Sequence, residues 1–206
     1  MPRTSAPWPG DVYLKFNGLG DFVEIPGTDR LSVDTTGALT IAAWMRPDIL
    51  NFPKSEGSGY IHWLGKGESG RQEWTFRMYN RDNTREIPPR PNRISFYVFN
   101  PPGDLGVGSY VQDTVEPGRW IHVVGVMDFA RTHIYSDGIF RGCDTYRGPS
   151  DGNCPLHYIP GTRDQLVMVS QGGAVPLRLG TRDFHSFLQG GLTGVRVWKT
   201  AHPRRR

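Results

Sequence analysis

The chain of 206 residues is 37% hydrophobic and 12% aromatic, and its formal net charge is +4. This composition is enough for a sizeable core. Three of the positive charges lie in Arg204–Arg206, and the sequence shows no basic face interleaved with aromatic residues, so nucleic-acid binding is not expected. No stretch approaches the roughly 18 continuous apolar residues of a membrane helix, so membrane insertion is not expected either.

Glycine and proline indicate a chain of short strands joined by frequent turns. The 26 Gly and 17 Pro residues are spread along the chain, which suits turns between strands better than it suits helices. No window shows an apolar stripe at helical spacing, and helical character is expected at most in a short turn near Thr28–Val33. An all-β fold often reaches this length as one domain.

Alternating side chains predict about a dozen strands. The first two, Val12–Phe16 and Phe22–Ile25, are expected to form a hairpin around the turn at residues 17–21. The others are, in chain order, Leu39–Arg46, Tyr60–Gly65, Glu73–Tyr79, Arg93–Phe99, Trp120–Asp128, Thr132–Ser136, Ile139–Cys143, a short candidate at Leu166–Val169, Leu177–Gly180 and Leu188–Trp198. So many short strands in one unit predict two packed antiparallel sheets, that is, an all-β sandwich or jelly roll.

The strand Trp120–Asp128 is predicted to lie in the middle of its sheet. Its even-numbered and odd-numbered residues fall on opposite faces, and both sets are largely apolar. A strand that is apolar on both faces is normally covered on both. Further along, Asp137-Gly138 predicts a tight turn, because glycine accepts the positive φ of a two-residue hairpin loop.

Four blocks of the sequence, in order, resemble laminin-G-like domains of the concanavalin A-like lectin/glucanase superfamily. They are the opening segment Tyr13–Pro26, the strand Leu39–Pro47, the hairpins Trp120–Gly138, and the closing Leu179-Gly180 with Gly191–Trp198. The resemblance implies a two-sheet jelly roll of laminin-G-like or pentraxin-like type over residues 12–203, with a flexible segment at 1–11 and a basic tail at 204–206. It also implies a secreted or cell-surface module that binds carbohydrate or protein, often with a structural calcium ion.

Within this fold, three large side chains are interpreted as structural. His122 lies in mid-strand between apolar neighbours, where a buried imidazole with one hydrogen bond is expected rather than a catalytic one. Trp44 and Trp120 are interpreted as sandwich core, since each buries about 150–250 Å².

The resemblance places a calcium site at the first turn. Asn17 and Asp21 match its first half, and the closing strand would complete it with Thr193. Where many relatives carry Asp-Glu, this chain has Thr193-Gly194, so a charged ligand is missing from the six to eight oxygens that calcium prefers. An Asx-type turn is the alternative interpretation of Asn17 and Asp21.

The two cysteines, Cys143 and Cys154, flank a loop full of turn-forming residues. A disulfide that closes this loop is expected, which would indicate an oxidising compartment. Two free thiols are the alternative. A zinc site is not expected, because two thiols without clustered histidines fall short of a zinc ligand set.

A glycan-binding surface is predicted on the strands Glu73–Tyr79 and Arg93–Phe99. One face of these strands is apolar core, and the opposite face, a candidate concave surface, presents Arg77, Tyr79, Arg93, Tyr97 and Phe99. Aromatic rings can cover the C–H faces of a sugar, while Arg pairs with carboxylates or sulfates. A solvated face that is covered by a loop is the alternative.

Catalytic motifs are absent from the sequence. No strand carries the spaced carboxylates that a glycosidase needs, and neither a Gly-x-Ser-x-Gly nor a phosphate-binding loop occurs. The sequence therefore favours a non-catalytic carbohydrate-binding module. A protein-interaction or adhesion domain is the first alternative, and a polysaccharide lyase or hydrolase with an unrecognised site is the second.

Overall fold

The structure, a computed structural model, describes residues 7, 12–100, 105–128, 131–145 and 172–202. In these ranges a 3-10 turn at Asp29–Leu31 and a short helix α1 at Val33–Thr36 accompany twelve strands. The strands are β1 Leu14–Asn17, β2 Val23–Ile25, β3 Leu39–Pro47, β4 Tyr60–Glu68, β5 Arg71–Tyr79, β6 Ile94–Asn100, β7 Leu105–Val111, β8 Ile121–Met127, β9 Arg131–Ser136, β10 Ile139–Thr145, β11 Leu177–Leu179 and β12 Gln189–Trp198.

The strands form two six-stranded antiparallel sheets, which confirms the predicted sandwich. Sheet one has the order β1-β12-β3-β8-β9-β10, and sheet two has the order β2-β11-β4-β5-β6-β7. The strand β8 lies between β3 and β9, so its predicted central position is correct. The turn after β9 is also as predicted, since Asp137 and Gly138 have φ values of 51° and 81°.

The predicted hairpin between the first two strands is wrong. Instead, β1 pairs with β12 in sheet one, while β2 pairs with β11 in sheet two. The turn at residues 17–21 therefore carries the chain from one sheet to the other. Two adjacent strands in a sequence suggest a hairpin, but here the closing strands of the domain supply both partners.

The strand β7 was not predicted, because its glycines hide the alternation of its apolar residues. Gly106 and Gly108 are required by the neighbouring strand: a Cβ on Gly108 would lie 2.7 Å from Cδ1 of Tyr97, and one on Gly106 would lie 3.1 Å from Cε1 of Phe99. A side chain at either position would therefore press against these two rings. The short strand expected at Leu166–Val169 lies outside the described residues.

The core lies between the two sheets and contains a row of three aromatic rings that are tilted against one another. The Trp63 and Phe76 ring centroids are 4.8 Å apart, and those of Phe76 and Phe96 are 4.7 Å apart. All three side chains are fully buried, and contacts between aromatic rings add to the free energy gained from burial. Gly125 faces Phe96 from the opposite sheet, and its missing side chain makes room for that ring.

A buried ion pair lies at one margin of this core. Nζ of Lys66 donates to a carboxylate oxygen of Glu73, to Oγ of Ser32 at 3.1 Å and to the carbonyl of Gly173 at 2.7 Å. All three ammonium hydrogens therefore have acceptors, as a buried Lys requires.

Among the described residues, no helix is long and apolar enough to cross a membrane.

Candidate functional site

The outward face of sheet one carries a concave surface that is lined by residues of β12, β3 and β8. On β3, Leu39 and Ile41 enter the core, so strand alternation turns Thr40, Ala42 and Trp44 outward. The interpretation of Trp44 as sandwich core is therefore wrong. Its ring is only half-buried and belongs to the outer surface.

Strand register arranges the outward residues of β12, β3 and β8 in three rows. From β12 to β8 the rows are Thr193, Trp44 and His122; Arg196, Ala42 and Val124; and Trp198, Thr40 and Val126. Neighbouring rows are two residues apart along β3, so the first and third rows are separated by about 13 Å. Large rings thus occupy both ends, with Ala42 in the row between them and Thr40 beside Trp198.

This arrangement produces a groove of about 520 Å³, here called the Trp44–Trp198 groove. Small or short side chains form its floor and rings form its ends. The lining residues are Thr40, Ala42, Trp44, His122, Val124, Gly194, Arg196, Trp198 and His202. A largely apolar cleft of this size with a few polar groups is the usual form of a small-ligand site.

At the first end of the groove, His122 packs on Trp44. The ring centroids are 4.8 Å apart with an interplanar angle of 34°. His122 is half-buried and lines the groove, so its assignment to the core is wrong. Burial lowers the pKa of His122, while Asp137 opposes the shift and Arg196 reinforces it.

At the opposite end, the chain after β12 folds back over β3. The backbone N–H of His202 donates to Oγ1 of Thr40 at 3.0 Å, and this hydroxyl donates to the carbonyl of Thr200 at 2.7 Å. The His202 ring then meets Trp198 edge-on, with 5.3 Å between centroids. These bonds hold the two rings at the rim of the groove.

Trp120 is buried as predicted, with 1% of its surface exposed, but it does not lie between the sheets. It shares the outward face of β8 with His122 and is covered by Tyr13, whose ring lies edge-on at 5.4 Å. The Arg46 guanidinium lies 4.7 Å from the Tyr13 ring and 5.2 Å from the Trp120 ring. This end of the face is therefore closed.

The glycan-binding face predicted on sheet two is not an open surface. Its alternation is as predicted, with Trp74 and Phe96 in the core and the predicted set on the other side. However, the exposed fractions are 1% for Tyr79, 4% for Arg93, 6% for Tyr97 and 6% for Phe99, and Arg77 is half-buried. The expected accessibility is thus wrong, and a role for these five residues in ligand binding stays a prediction.

Stacking between arginines and aromatic rings closes this face. The Arg77 guanidinium lies 3.9 Å from the Tyr60 ring centroid and 4.7 Å from that of Tyr97. The Arg93 guanidinium lies 3.8 Å from the Tyr110 ring. Cation–π contacts of this kind gain strength as they lose water, so both arginines of the predicted set are already engaged in contacts within the protein.

Beneath Arg77, a polar cluster joins Glu56, His62 and Asp183, whose ligand-type atoms lie within 4.8 Å of one another. Nε of Arg77 donates to Nε2 of His62 at 3.3 Å, so the imidazole proton lies on Nδ1, next to the Glu56 carboxylate. Burial lowers the pKa of His62 well below its usual value, and Arg182 and Arg77 lower it further.

This cluster fits a hydrogen-bonded network better than a metal site. A metal on Nδ1 of His62 would move the proton to Nε2, where Arg77 already donates. In addition, Nη2 of Arg182 is 2.6 Å from Oδ2 of Asp183. The two guanidinium groups supply the positive charge that a cation would otherwise bring.

The predicted calcium ligands are not brought together as one set. Oδ1 of Asn17 accepts from the backbone N–H groups of Leu19, Gly20 and Asp21, and the Asp21 carboxylate accepts from the N–H of Asn17. Thr193 instead donates to the carbonyl of Val12, at the far end of β1. This geometry is an Asx-type turn, and calcium binding stays a prediction.

For the predicted disulfide, Cys143 lies in β10, while Cys154 lies outside the described residues. The bridge therefore stays a prediction.

The groove was missed, although the sequence contains a signal for it. On β3 the set that includes Trp44 also includes Thr40 and Arg46, whereas the alternate set is entirely apolar. The more polar set must face outward, and Trp44 goes with it.

Comparison with protein families gives a match over residues 17–204 to the model of the concanavalin A-like lectin/glucanases superfamily. The chain belongs to this superfamily. Comparison with curated proteins finds no significant match.

Several solved structures share the fold of this superfamily member. A heptameric SAP-like pentraxin from Limulus polyphemus has a TM-score of 0.55 and 15% identity, over 92% of this chain and 76% of the pentraxin. Domain 4 of AbnA, an extracellular GH43 arabinanase from Geobacillus stearothermophilus, has a TM-score of 0.59 and 12% identity, over 97% and 76% of the two chains. The CBM40 of a Ruminococcus gnavus IT-sialidase has a TM-score of 0.52 and 10% identity, over 94% of each chain. At identities this low, the similarity to these structures shows a shared fold alone.

Proposed function

We propose that the chain is a non-catalytic carbohydrate-binding module and that the Trp44–Trp198 groove receives the glycan. The observation that carries this proposal is the placement of the two tryptophans: Trp44 on β3 and Trp198 on the neighbouring β12 lie in rows about 13 Å apart, over a floor of small side chains. Such a trough can hold a short stretch of an oligosaccharide, with a ring against the sugar at each end.

The chemistry of the lining suits a sugar. The indole rings of Trp44 and Trp198 can cover the apolar C–H faces of pyranose rings, and a polar atom on the same residue or nearby can meet the hydroxyl groups. The polar groups are His122, Arg196 and His202. A few polar groups among aromatic walls orient a ligand while apolar contact supplies most of the affinity.

Two structural neighbours support this class of ligand. The AbnA domain was solved in complex with arabinotriose, and the CBM40 domain was solved bound to α2,3-sialyllactose. Both share the fold of this chain, so this sandwich is able to present glycan sites. Their ligands do not specify the ligand of the present groove.

Binding to a glycan array, followed by titration calorimetry on the best ligand, tests the proposal. Trp44→Ala and Trp198→Ala should each weaken binding by about tenfold or more, since an aromatic anchor is usually worth about 2 kcal/mol or more. Phe184→Ala is the matched control, because Phe184 is an exposed ring beside sheet two and should leave affinity unchanged.

The other outcomes discriminate between functions. An array without any specific ligand would exclude the glycan-binding proposal and favour a protein-interaction domain. Binding that is lost on Arg77→Ala and Tyr97→Ala, at unchanged melting temperature, but kept in both tryptophan variants would move the site to sheet two. Each variant needs its melting temperature measured, because buried substitutions also destabilise the fold.

A further inference from the structure

We infer that residues 199–202, here called the return segment, limit the length of the glycan in the Trp44–Trp198 groove, and that Thr40 is the positioning residue that holds this segment. The inference rests on the proposed function and adds the glycan length that the groove accepts. Two observations carry it. The groove is bounded at both ends along β3, and one buried hydroxyl group holds the second boundary.

Side chains close the first end of the groove. Beyond Trp44, the next outward residue of β3 is Arg46. Its guanidinium group lies 4.7 Å from the Tyr13 ring and 5.2 Å from the Trp120 ring. At the other end, the return segment crosses over β3. A glycan that runs along the strands therefore has the distance of about 13 Å between the first and third rows, and a longer chain meets a boundary.

Thr40 holds the return segment through both functions of its hydroxyl group. Strand alternation turns this side chain outward, yet only 3% of Thr40 is exposed. Its Oγ1 accepts a hydrogen bond from the N–H of His202 at 3.0 Å and donates one to the carbonyl of Thr200 at 2.7 Å. A valine at this position could form neither bond. Removing the hydroxyl should therefore release the segment.

The return segment presents the His202 ring to the groove. This ring lines the groove and meets the Trp198 ring edge-on, with 5.3 Å between centroids. Thr200 and His202 are exposed, so water can replace both hydrogen bonds when the segment is released, and the loss of stability should be small. A sugar at this end thus contacts a surface that Thr40 has already ordered. Without the hydroxyl, binding would have to order the segment, which lowers affinity.

Glycans of increasing length test the limit by titration calorimetry. The probes are arabinan, xylan, cellulose and homogalacturonan oligosaccharides, each from the disaccharide to the hexasaccharide. In wild type the affinity should increase until the chain spans the two tryptophan rows, and longer members should then stay within about twofold of that value. An affinity that still increases severalfold at the hexasaccharide would overturn the length limit.

Thr40→Val tests whether the return segment sets this limit. The shortest glycan that reaches the constant affinity should bind about threefold to tenfold more weakly, because the ligand must now order the segment. The hexasaccharide no longer meets a fixed boundary and should lose less. Its affinity relative to the short glycan should therefore rise about threefold or more. Thr40→Ser keeps the hydroxyl group and should restore both wild-type values.

Thr181→Val is the matched control. Oγ1 of Thr181 also accepts from a backbone N–H, that of Phe184 at 3.1 Å, and donates to a carbonyl, that of Ser186 at 2.7 Å. These three residues lie between β11 and β12 and are not among the described residues that line the groove. The variant removes an equivalent pair of bonds and should keep the wild-type dependence on length. The same change in both valine variants would assign the effect to stability and overturn the role of the return segment.

Hydrogen exchange tests the role of Thr40 without a ligand. The amide of His202 should exchange about tenfold or more faster in Thr40→Val than in wild type, and Thr40→Ser should keep it protected. Equal exchange in wild type and Thr40→Val would overturn the positioning role. If no oligosaccharide of any length binds, the length limit is overturned, and an empty glycan array would then overturn the proposed function as well.

Discussion

Nε of Arg77 donates a hydrogen bond to Nε2 of His62 over 3.3 Å, and this contact holds a fully buried imidazole in its neutral form. Burial lowers the pKa of His62 well below its ordinary value of 6.5, and Arg182 and Arg77 act in the same direction. The unfolded chain therefore takes up a proton at a higher pH than the folded chain does. By linkage, the contribution of His62 to the free energy of unfolding must fall as the pH drops below about 6.5.

Removing the imidazole tests this dependence. In His62→Asn the free energy of unfolding should fall less steeply between pH 6.5 and 5 than in wild type, by up to about 1.4 kcal/mol per pH unit. Urea titrations at several pH values measure both slopes. The two proteins should run parallel above pH 7.5, where His is neutral in both states. Parallel curves across the whole range would show that His62 is not protonated on unfolding.

The alternation in β5 and β6 correctly predicted which side chains enter the core, because the period of a strand depends only on the chain itself. It could not predict what covers the opposite face. Arg77 and Arg93 are covered by the rings of Tyr60 and Tyr110, which come from other strands. The same limit explains why β2 was wrongly predicted to pair with β1. Its actual partner, β11, lies some 150 residues further along the chain, as the pairing of Glu24 with Arg178 shows.

The Trp44–Trp198 groove was not predicted for a related reason. A tryptophan in an apolar strand is usually core, and Trp44 has apolar neighbours on both sides. The register of β12 places Arg196 and Trp198 along the same outward face, and this register depends on an irregularity between Thr193 and Arg196 that the sequence pattern does not reveal. The four segments that resemble the family predicted the sandwich. Predicting the groove would have required the pairing of strands that lie far apart in the sequence, such as β3 and β12.

Lys66 provides a prediction about stability. Lys66→Met leaves the Glu73 carboxylate buried without its partner, which should cost about 3–5 kcal/mol. The double variant Lys66→Met/Glu73→Leu removes both charges and should recover most of that loss, because apolar groups can replace a buried pair at little cost. Denaturant unfolding of the two single variants and the double variant gives the coupling free energy. Additive losses would contradict the pairing.

Gly125 should not tolerate a side chain. A Cβ at this position would lie 2.6 Å from Cγ of Phe96, a ring held in place by Phe76. Gly125→Ala should therefore destabilise the domain by about 1–3 kcal/mol through overpacking. Gly20→Ala is the control, since its Cβ would meet nothing within 4 Å, and its effect should stay within about 0.5 kcal/mol. Equal melting temperatures for both variants would mean that the sheets can separate locally.

Calcium binding at the first turn can be tested through stability. If Asn17 and Asp21 bind the ion, excess calcium must raise the melting temperature by mass action, and a chelator must reverse the rise. Asp21→Asn separates the two interpretations of this turn. It keeps an acceptor for the N–H of Asn17, so an Asx-type turn should survive, but it removes a charged calcium ligand and should abolish the rise. A melting temperature that is the same in calcium and chelator would exclude the site. The hydrogen bonds of this turn would then have a structural role: Oδ1 of Asn17 accepts from the N–H of Leu19, and the N–H of Asn17 donates to the Asp21 carboxylate, where the chain passes from sheet one to sheet two.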